Sequence, residues 1–217
     1  NTCLSMQPIY LRSNPKISVP YVYDGSTERI APKAGDHIAD CGAYIGDTVE
    51  LFIKLTGGSC TVYAFEPVAG NFKELCRTAE KYSSIRIIPY QYALGSERGT
   101  VQITSEIDIT PRATIHGEYE ARPASVTTEV TVECLDNVLG DSRLDYIKMD
   151  IEGEEVNAIN GAKELISRER PSMLLSAYHK IWHMWEIPLL VKEICPDYRI
   201  YCGHQPHTPL EPEFYCI

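Results

Sequence analysis

The segment His37-Ile-Ala-Asp-Cys-Gly-Ala-Tyr-Ile-Gly-Asp-Thr48 reads as a strand, a tight glycine turn and a helix start, with Asp40 and Asp47 bracketing Gly42, Ala43, Tyr44 and Gly46. In open α/β sheets, ligands bind beyond the carboxyl ends of the strands, so a nucleotide-like ligand belongs at this turn. The dinucleotide fingerprint G-x-G-x-x-G is not matched, because Tyr44 and Asp47 stand where its later glycines would fall. Two carboxylates would repel a pyrophosphate resting on the helix N-terminus and attract a ligand carrying ammonium and sulfonium charges. S-Adenosylmethionine has both charges and no phosphate. The plain structural alternative is that the glycines only make a tight turn and Asp47 favours the helix dipole.

Glu66 closes the next run, Val62-Tyr-Ala-Phe-Glu-Pro67. An acidic residue about 20 positions past the glycine turn is placed to accept both ribose hydroxyls, and Pro67 then starts a helix, where its missing N–H costs nothing. As a lone carboxylate, Glu66 could equally be an N-terminal helix charge. Further on, Leu144-Asp-Tyr-Ile-Lys-Met-Asp-Ile-Glu-Gly153 puts Asp150 and Glu152 at the end of a buried strand, on the same edge as Asp40 and Glu66. Such crowding is costly unless a cation binds or one group takes up a proton. Asp150 could meet the ligand's amino group or, with Glu152, orient a substrate. His179, in Ser176-Ala-Tyr-His-Lys-Ile-Trp-His183, could take the proton from a hydroxyl as a methyl group transfers. The alternative makes His179 and His183 surface or packing residues beside Trp182 and Trp185. A divalent cation held by Asp150 and Glu152 would offer a second route to the same hydroxyl. No Asn/Asp-Pro-Pro-aromatic run follows the strand, which tells against methylation of a nucleobase.

Positioning these groups requires strands alternating with helices, the pattern of βαβ units and a mostly parallel sheet. Strand runs occur at His37 to Cys41, Cys60 to Phe65, Ile85 to Tyr92, Asp145 to Asp150 and Ser172 to Ala177, with helices expected over Asp47 to Leu55, Val68 to Tyr82 and Glu154 to Arg168. In the second helix, Phe72, Leu75, Cys76, Ala79 and Tyr82 make one apolar stripe. A β-rich interruption, Thr100 to Thr104 and Thr128 to Leu135, flanks the polar segment Ser105 to Ser125, whose length suggests a lid. Residues 1–35 read as a lead-in, with Ile17 to Tyr23 an edge strand or hairpin, and 36–217 as the domain.

The chain has 217 residues and a formal net charge of −10, which suits one α/β domain and argues against nucleic acid or an anionic membrane as the main partner. No apolar run is long enough to span a membrane, and the first ten residues lack signal-peptide order, so a soluble cytoplasmic protein is expected. The eight cysteines are expected to be reduced thiols. Cys195, Cys202, His204 and His207 fit no common zinc spacing.

Together these segments resemble the FkbM-type methyltransferase family. The pieces are Asp40-Cys-Gly-Ala-Tyr-Ile-Gly-Asp-Thr48, Ala64-Phe-Glu-Pro67, Ala93-Leu-Gly95, Leu135-Asp136, Ile147-Lys-Met-Asp-Ile-Glu-Gly-Glu-Glu155 and Tyr178-His179. The resemblance implies a class I methyltransferase (Rossmann-like) three-layer α/β sandwich, with a seven-stranded, mostly parallel sheet and an antiparallel last strand. It implies S-adenosylmethionine-dependent O-methylation of a sugar, polysaccharide or natural-product hydroxyl. Asp40, Gly42 and Gly46, with their neighbours Ala43, Tyr44, Asp47 and Thr48, would line the methionine end, Glu66 and Pro67 the ribose, and Tyr92 and Ala93 the adenine. The sequence departs from the family where Tyr44 replaces a frequent Asn and Gly203-His204 a His pair. A nicotinamide oxidoreductase or a noncatalytic binding module on the same fold stays open, as does a homodimer.

Overall fold

The computed structural model describes residues 10–11, 20–25, 28–105, 113–114, 126–205 and 208–217. Apart from Ser105 and Ala113–Thr114, the segment read as a lid lies outside the described residues, as do His207 and much of the lead-in. In chain order the strands are β1 (Tyr10–Leu11), β2 (Tyr23–Asp24), β3 (Arg29–Ile30), β4 (Asp36–Cys41), β5 (Cys60–Phe65), β6 (Arg86–Tyr90), β7 (Ala93–Leu94), β8 (Gly99–Ser105), β9 (Ala113–Thr114), β10 (Val126–Glu133), β11 (Tyr146–Met149), β12 (Ser172–Ser176), β13 (Ile200–Gln205) and β14 (Thr208–Cys216). The helices are α1 (Asp47–Leu55), α2 (Ala69–Lys81), α3 (Leu135–Leu139), α4 (Glu155–Asn160), α5 (Lys163–Glu169) and α6 (His183–Ile194).

Seven strands form the main sheet in the order β13-β14-β12-β11-β4-β5-β6, and the two-residue β1 extends it beside β13. All pairings are parallel except those of β14, which runs antiparallel to both β12 and β13. The chain lays down β4, β5 and β6 outward, then returns to place β11 on the other side of β4. That reversal opens a crevice at the carboxyl ends of β4 and β11.

Alternation along the strands supplies both faces of the sheet. Ile38, Val62, Tyr146 and Leu174 pack with Val49 and Phe52 of α1 and Leu75 of α2. Ala39, Tyr63, Ile147 and Leu175 pack with Ile159, Leu165 and Ile187 of α4, α5 and α6. Burial on both faces is why the strands read as nearly continuous apolar runs. A second sheet, β7-β10-β8-β9, has its own small core of Val68, Ala93, Ile103, Val130 and Val132. The β2–β3 hairpin docks on the main sheet, with the Tyr23 ring 4.9 Å from that of Tyr201 and 5.2 Å from that of Tyr215.

Helix α1 covers the expected residues, but several expectations give way. Glu154 to Arg168 is two helices, because a Cβ on Gly161 would stand 2.0 Å from the Gly95 carbonyl oxygen, and the Asp136 carboxylate accepts the N–H groups of Glu164 and Leu165 to start α5 afresh. Helix α2 begins at Ala69 rather than Pro67, since Glu66 Oε1 accepts the Val68 N–H at 2.8 Å and holds the chain extended there. The Ile85 to Tyr92 run ends at Tyr90, and Leu135 opens α3 instead of closing a strand.

The seven described cysteines are free, and among described residues no helix is long and apolar enough to cross a membrane.

Candidate active site

A cleft of about 620 Å³, open to solvent, lies over the crevice. Gly42 and Tyr44 reach it from the turn after β4, Glu66 and Pro67 from the end of β5, and Tyr92 and Ala93 from the entry to β7. Asp150 and Glu152 reach it from the turn after β11. Among the described residues, four carboxylates line it, those of Glu66, Asp150, Glu152 and Glu154, and no lysine or arginine does. The field inside therefore favours a cationic guest.

The glycine turn is held by the strands beneath it. Gly42 has φ +83°, and a Cβ there would lie 1.9 Å from the Asp150 carbonyl oxygen, so the turns after β4 and β11 touch backbone to backbone. Tyr44 (φ 48°) and Glu152 (φ 56°) both adopt the left-handed region at the cleft wall, a strain that clusters at functional sites.

Asp40 is placed differently from a wall residue. It stands opposite Lys148 in the β4–β11 register, its Oδ1 3.3 Å from Lys148 Nζ and its Oδ2 accepting a short hydrogen bond from Thr48. Lys148 Nζ also donates to the Gly42 carbonyl at 2.6 Å. Burial pushes the Asp40 carboxyl up and Lys148 and Thr48 pull it back; burial works against the Lys148 ammonium, but Asp40, Asp150 and Tyr21 together outweigh it and keep the lysine charged. This ion pair braces the turn from below. Ala43, Gly46 and Thr48 are buried and off the cleft wall, and Asp47 is exposed at the start of α1. The two carboxylates from which the sequence argued for a cationic ligand thus lie off the wall, and four others supply the negative field.

Glu66 is 5% exposed. Its Oε2 accepts the Tyr44 N–H at 3.0 Å, and its Oε1 accepts the Val68 N–H and, at 3.2 Å, the Asn71 side-chain amide. Burial outweighs these donors and raises its pKa to about 7. Phe65 stacks on Tyr90 at 5.0 Å, and Tyr90 on Tyr92 at 6.1 Å, continuing the wall as an aromatic ladder.

On the other side, Tyr178 Oη donates to Asp150 Oδ1 at 2.8 Å. His179 lies behind this layer with its side chain 10% exposed, Nε2 standing 3.5 Å from Asp150 Oδ1 and 3.6 Å from Glu152 Oε2. Burial disfavours the imidazolium, but Glu155, Asp150 and Glu152 outweigh it and raise the His179 pKa. His183 is buried at the start of α6, whereas Trp182 and Trp185 are 45% and 52% exposed. His204 is exposed on β13 and is not part of the cleft wall. Asp150, Glu155 and His179 each present a donor atom within 4.8 Å of the others, the spacing of a cation site.

The sequence reading missed Lys148, Asn71, Glu154 and Glu155. A lysine inside the apolar run Tyr-Ile-Lys-Met signals a buried partner, and Glu155, on a position that packs inward, signals the same.

The chain matches the family model described as the methyltransferase FkbM domain over residues 40–198. The chain belongs to the FkbM methyltransferase family. Methyltransferase FkbM from Methylobacillus flagellatus KT superposes with a TM-score of 0.70 at 25% identity, covering 87% of this chain and 45% of that one. "Methyltransferase 1" of the fungus Beauveria bassiana (strain ARSEF 2860) is 26% identical over 152 residues, 61% of each sequence. This FkbM chain therefore spans less than two thirds of either relative. Aeropyrum pernix fibrillarin, solved in complex with natively bound S-adenosyl-L-methionine, shares the fold with a TM-score of 0.54 at 12% identity, covering 85% of this chain and 67% of that one. The architecture is that of the class I, Rossmann-like methyltransferases.

Proposed function

We propose that this FkbM domain, residues 36–217, transfers a methyl group from S-adenosylmethionine to a hydroxyl of a sugar, polysaccharide or natural-product acceptor. The observation that carries the reading is the cleft itself: four carboxylates and no cationic side chain among its described lining residues, and Glu66 fixed by three donors where ribose hydroxyls would meet it. S-Adenosylmethionine fits that field and would supply an activated methyl on a positively charged sulfur. Gly42, Tyr44 and the neighbouring turn would hold its methionine end, Glu66 and Pro67 its ribose, and Tyr92 and Ala93 its adenine. The fibrillarin complex supports the same choice of donor through a shared fold. The free cysteines support a reducing, cytoplasmic setting.

Asp150 and Glu152 orient the acceptor hydroxyl, and His179 Nε2 takes its proton. The O–H electron pair then forms the new O–CH3 bond, the C–S electrons stay on sulfur, and the imidazolium returns its proton to water. Positioning supplies much of the acceleration, since the methyl donor is already activated.

Calorimetric titration with S-adenosylmethionine and with NAD tests the cofactor, and binding of NAD alone would overturn the reading. Mass spectrometry of a panel of hydroxylated acceptors, with chelator present throughout, tests the reaction. The expected product is heavier by one CH2, formed at an undiminished rate; loss of product on chelation would replace the base with a divalent cation held by Asp150 with Glu155 and His179.

A further inference from the structure

One carboxylate in this region does not touch the cleft. Glu155, in the first turn of α4, is fully buried. Its Oε1 accepts the N–H of Ile151 at 3.0 Å and of Gly153 at 3.4 Å, which fixes it to the turn that carries Asp150 and Glu152. The same Oε1 stands 2.9 Å from His179 Nδ1, and Oε2 stands 3.2 Å from His183 Nδ1. Burial alone would raise the Glu155 pKa, but the two histidines and the Ile151 N–H hold it at about 2. A buried carboxylate is retained only where partners repay its desolvation, and here those partners are two imidazoles on the segment leading into α6.

We infer that Glu155 is the positioning residue of the His179 base, fixing the ring with its proton on Nδ1 so that the Nε2 lone pair is directed at Asp150 and Glu152, the cleft carboxylates between which the acceptor hydroxyl would enter. This inference rests on His179 being the base. The chemistry follows from the two ring nitrogens. A neutral imidazole has one donor and one acceptor, and a carboxylate accepts only, so Glu155 selects the Nδ1–H form. Nε2 is then left as the acceptor. It is buried and has no aligned hydrogen-bond partner, although Asp150 Oδ1 and Glu152 Oε2 flank it at 3.5 and 3.6 Å. A lone pair facing two carboxylates is unfavourable until a hydroxyl proton enters between them, so the arrangement is completed by the acceptor. Both imidazole contacts of Glu155, to His179 Nδ1 and to His183 Nδ1, are close but poorly aligned in the free protein, as contacts to a base commonly are before the reacting complex forms. When Nε2 takes the proton, Glu155 balances the imidazolium, the role a buried carboxylate plays behind histidine in hydrolase triads. The other groups facing the ring are the Tyr178 phenol, 4.1 Å between centroids, and, through Glu155, His183. Lys180 is turned to Glu154 at 3.2 Å.

Nitrogen-15 NMR of the histidine rings in the wild-type protein, at alkaline pH where His179 is neutral, tests the clamp without a variant. The expected signature is the Nδ1–H tautomer, and an Nε2–H tautomer overturns the inference. Glu155→Gln, whose amide can present a donor to Nδ1, is expected to lower kcat about a hundredfold or more with the acceptor KM and S-adenosylmethionine affinity within about threefold. An unchanged kcat, or a loss confined to KM, also overturns it. His179→Ala separates the two readings: wild-type turnover in that variant removes the base assignment, whereas the tautomer in the wild-type ring reports on the Glu155 contact alone.

Discussion

Burial would make Glu66, the ribose-binding residue of the proposed function, pH-dependent. Its ordinary carboxylate range lies well below neutrality, but burial, resisted by the Val68 and Tyr44 N–H groups and by Asn71, raises it to about 7. Below that pH the carboxyl is protonated and has lost acceptor capacity for ribose hydroxyls; above it the ionised form accepts them fully. The direction is therefore fixed: S-adenosylmethionine affinity should rise about tenfold between pH 6 and pH 8, and Glu66→Gln should flatten that rise while weakening binding overall. Calorimetry at a series of pH values reads both, and a wild-type affinity independent of pH would show that Glu66 does not meet the cofactor. Glu66 was legible because strand-end position and distance from the glycine turn are properties of sequence. Lys148 and Glu155 signalled only that each needs a buried partner, because which partner that is depends on the fold, Asp40 across the β4–β11 register and His179 after β12.

At the scale of elements, the strands and α1 could be read because both sheet faces are covered, so each strand is an apolar run bounded by turn residues. The break between α4 and α5 was hidden because its cause is tertiary, the passage of Gly161 against Gly95. The exit of β7 into the second sheet was hidden for the same kind of reason, since Ala93 and Leu94 pair with Val132 and Glu133 of β10, about forty residues on. The turns after β4 and β11 are the pair of elements on which the cleft depends most, and they meet at Gly42. Gly42→Ala would place a methyl group 1.9 Å from the Asp150 carbonyl oxygen and force a left-handed backbone on alanine. The expected result is a loss of about 2 kcal/mol or more in stability and roughly tenfold or more in S-adenosylmethionine affinity, because Tyr44 and Asp150 shift together. Thermal melts with and without the cofactor measure the two effects. A variant that melts normally and binds normally would mean that the two turns move independently.

For the molecule as a whole, the net charge of −10 takes on a specific meaning once it is divided by location. Some of the thirty acidic side chains are compensated inside the fold, as at Asp40 with Lys148 and at Glu155 between His179 and His183. Others, Glu66, Asp150, Glu152 and Glu154, are gathered in the cleft with no lysine or arginine among the described wall residues, although Lys180 reaches Glu154 at 3.2 Å. A field of that sign distinguishes the two forms of the cofactor, since transfer removes the sulfonium charge and leaves a neutral thioether. Under the proposed function, the carboxylates that favour the donor would give less to the product and so assist its release. Screening tests this directly, because salt weakens the attraction of the open cleft for a charged sulfur and leaves a neutral one almost untouched. Raising the salt from about 50 mM to about 500 mM should weaken S-adenosylmethionine binding roughly three- to tenfold and S-adenosylhomocysteine binding less than about twofold. Equal salt dependence for the two ligands would mean that the cleft carboxylates do not act on the sulfonium, and the charge of the wall would then have to be explained by the acceptor.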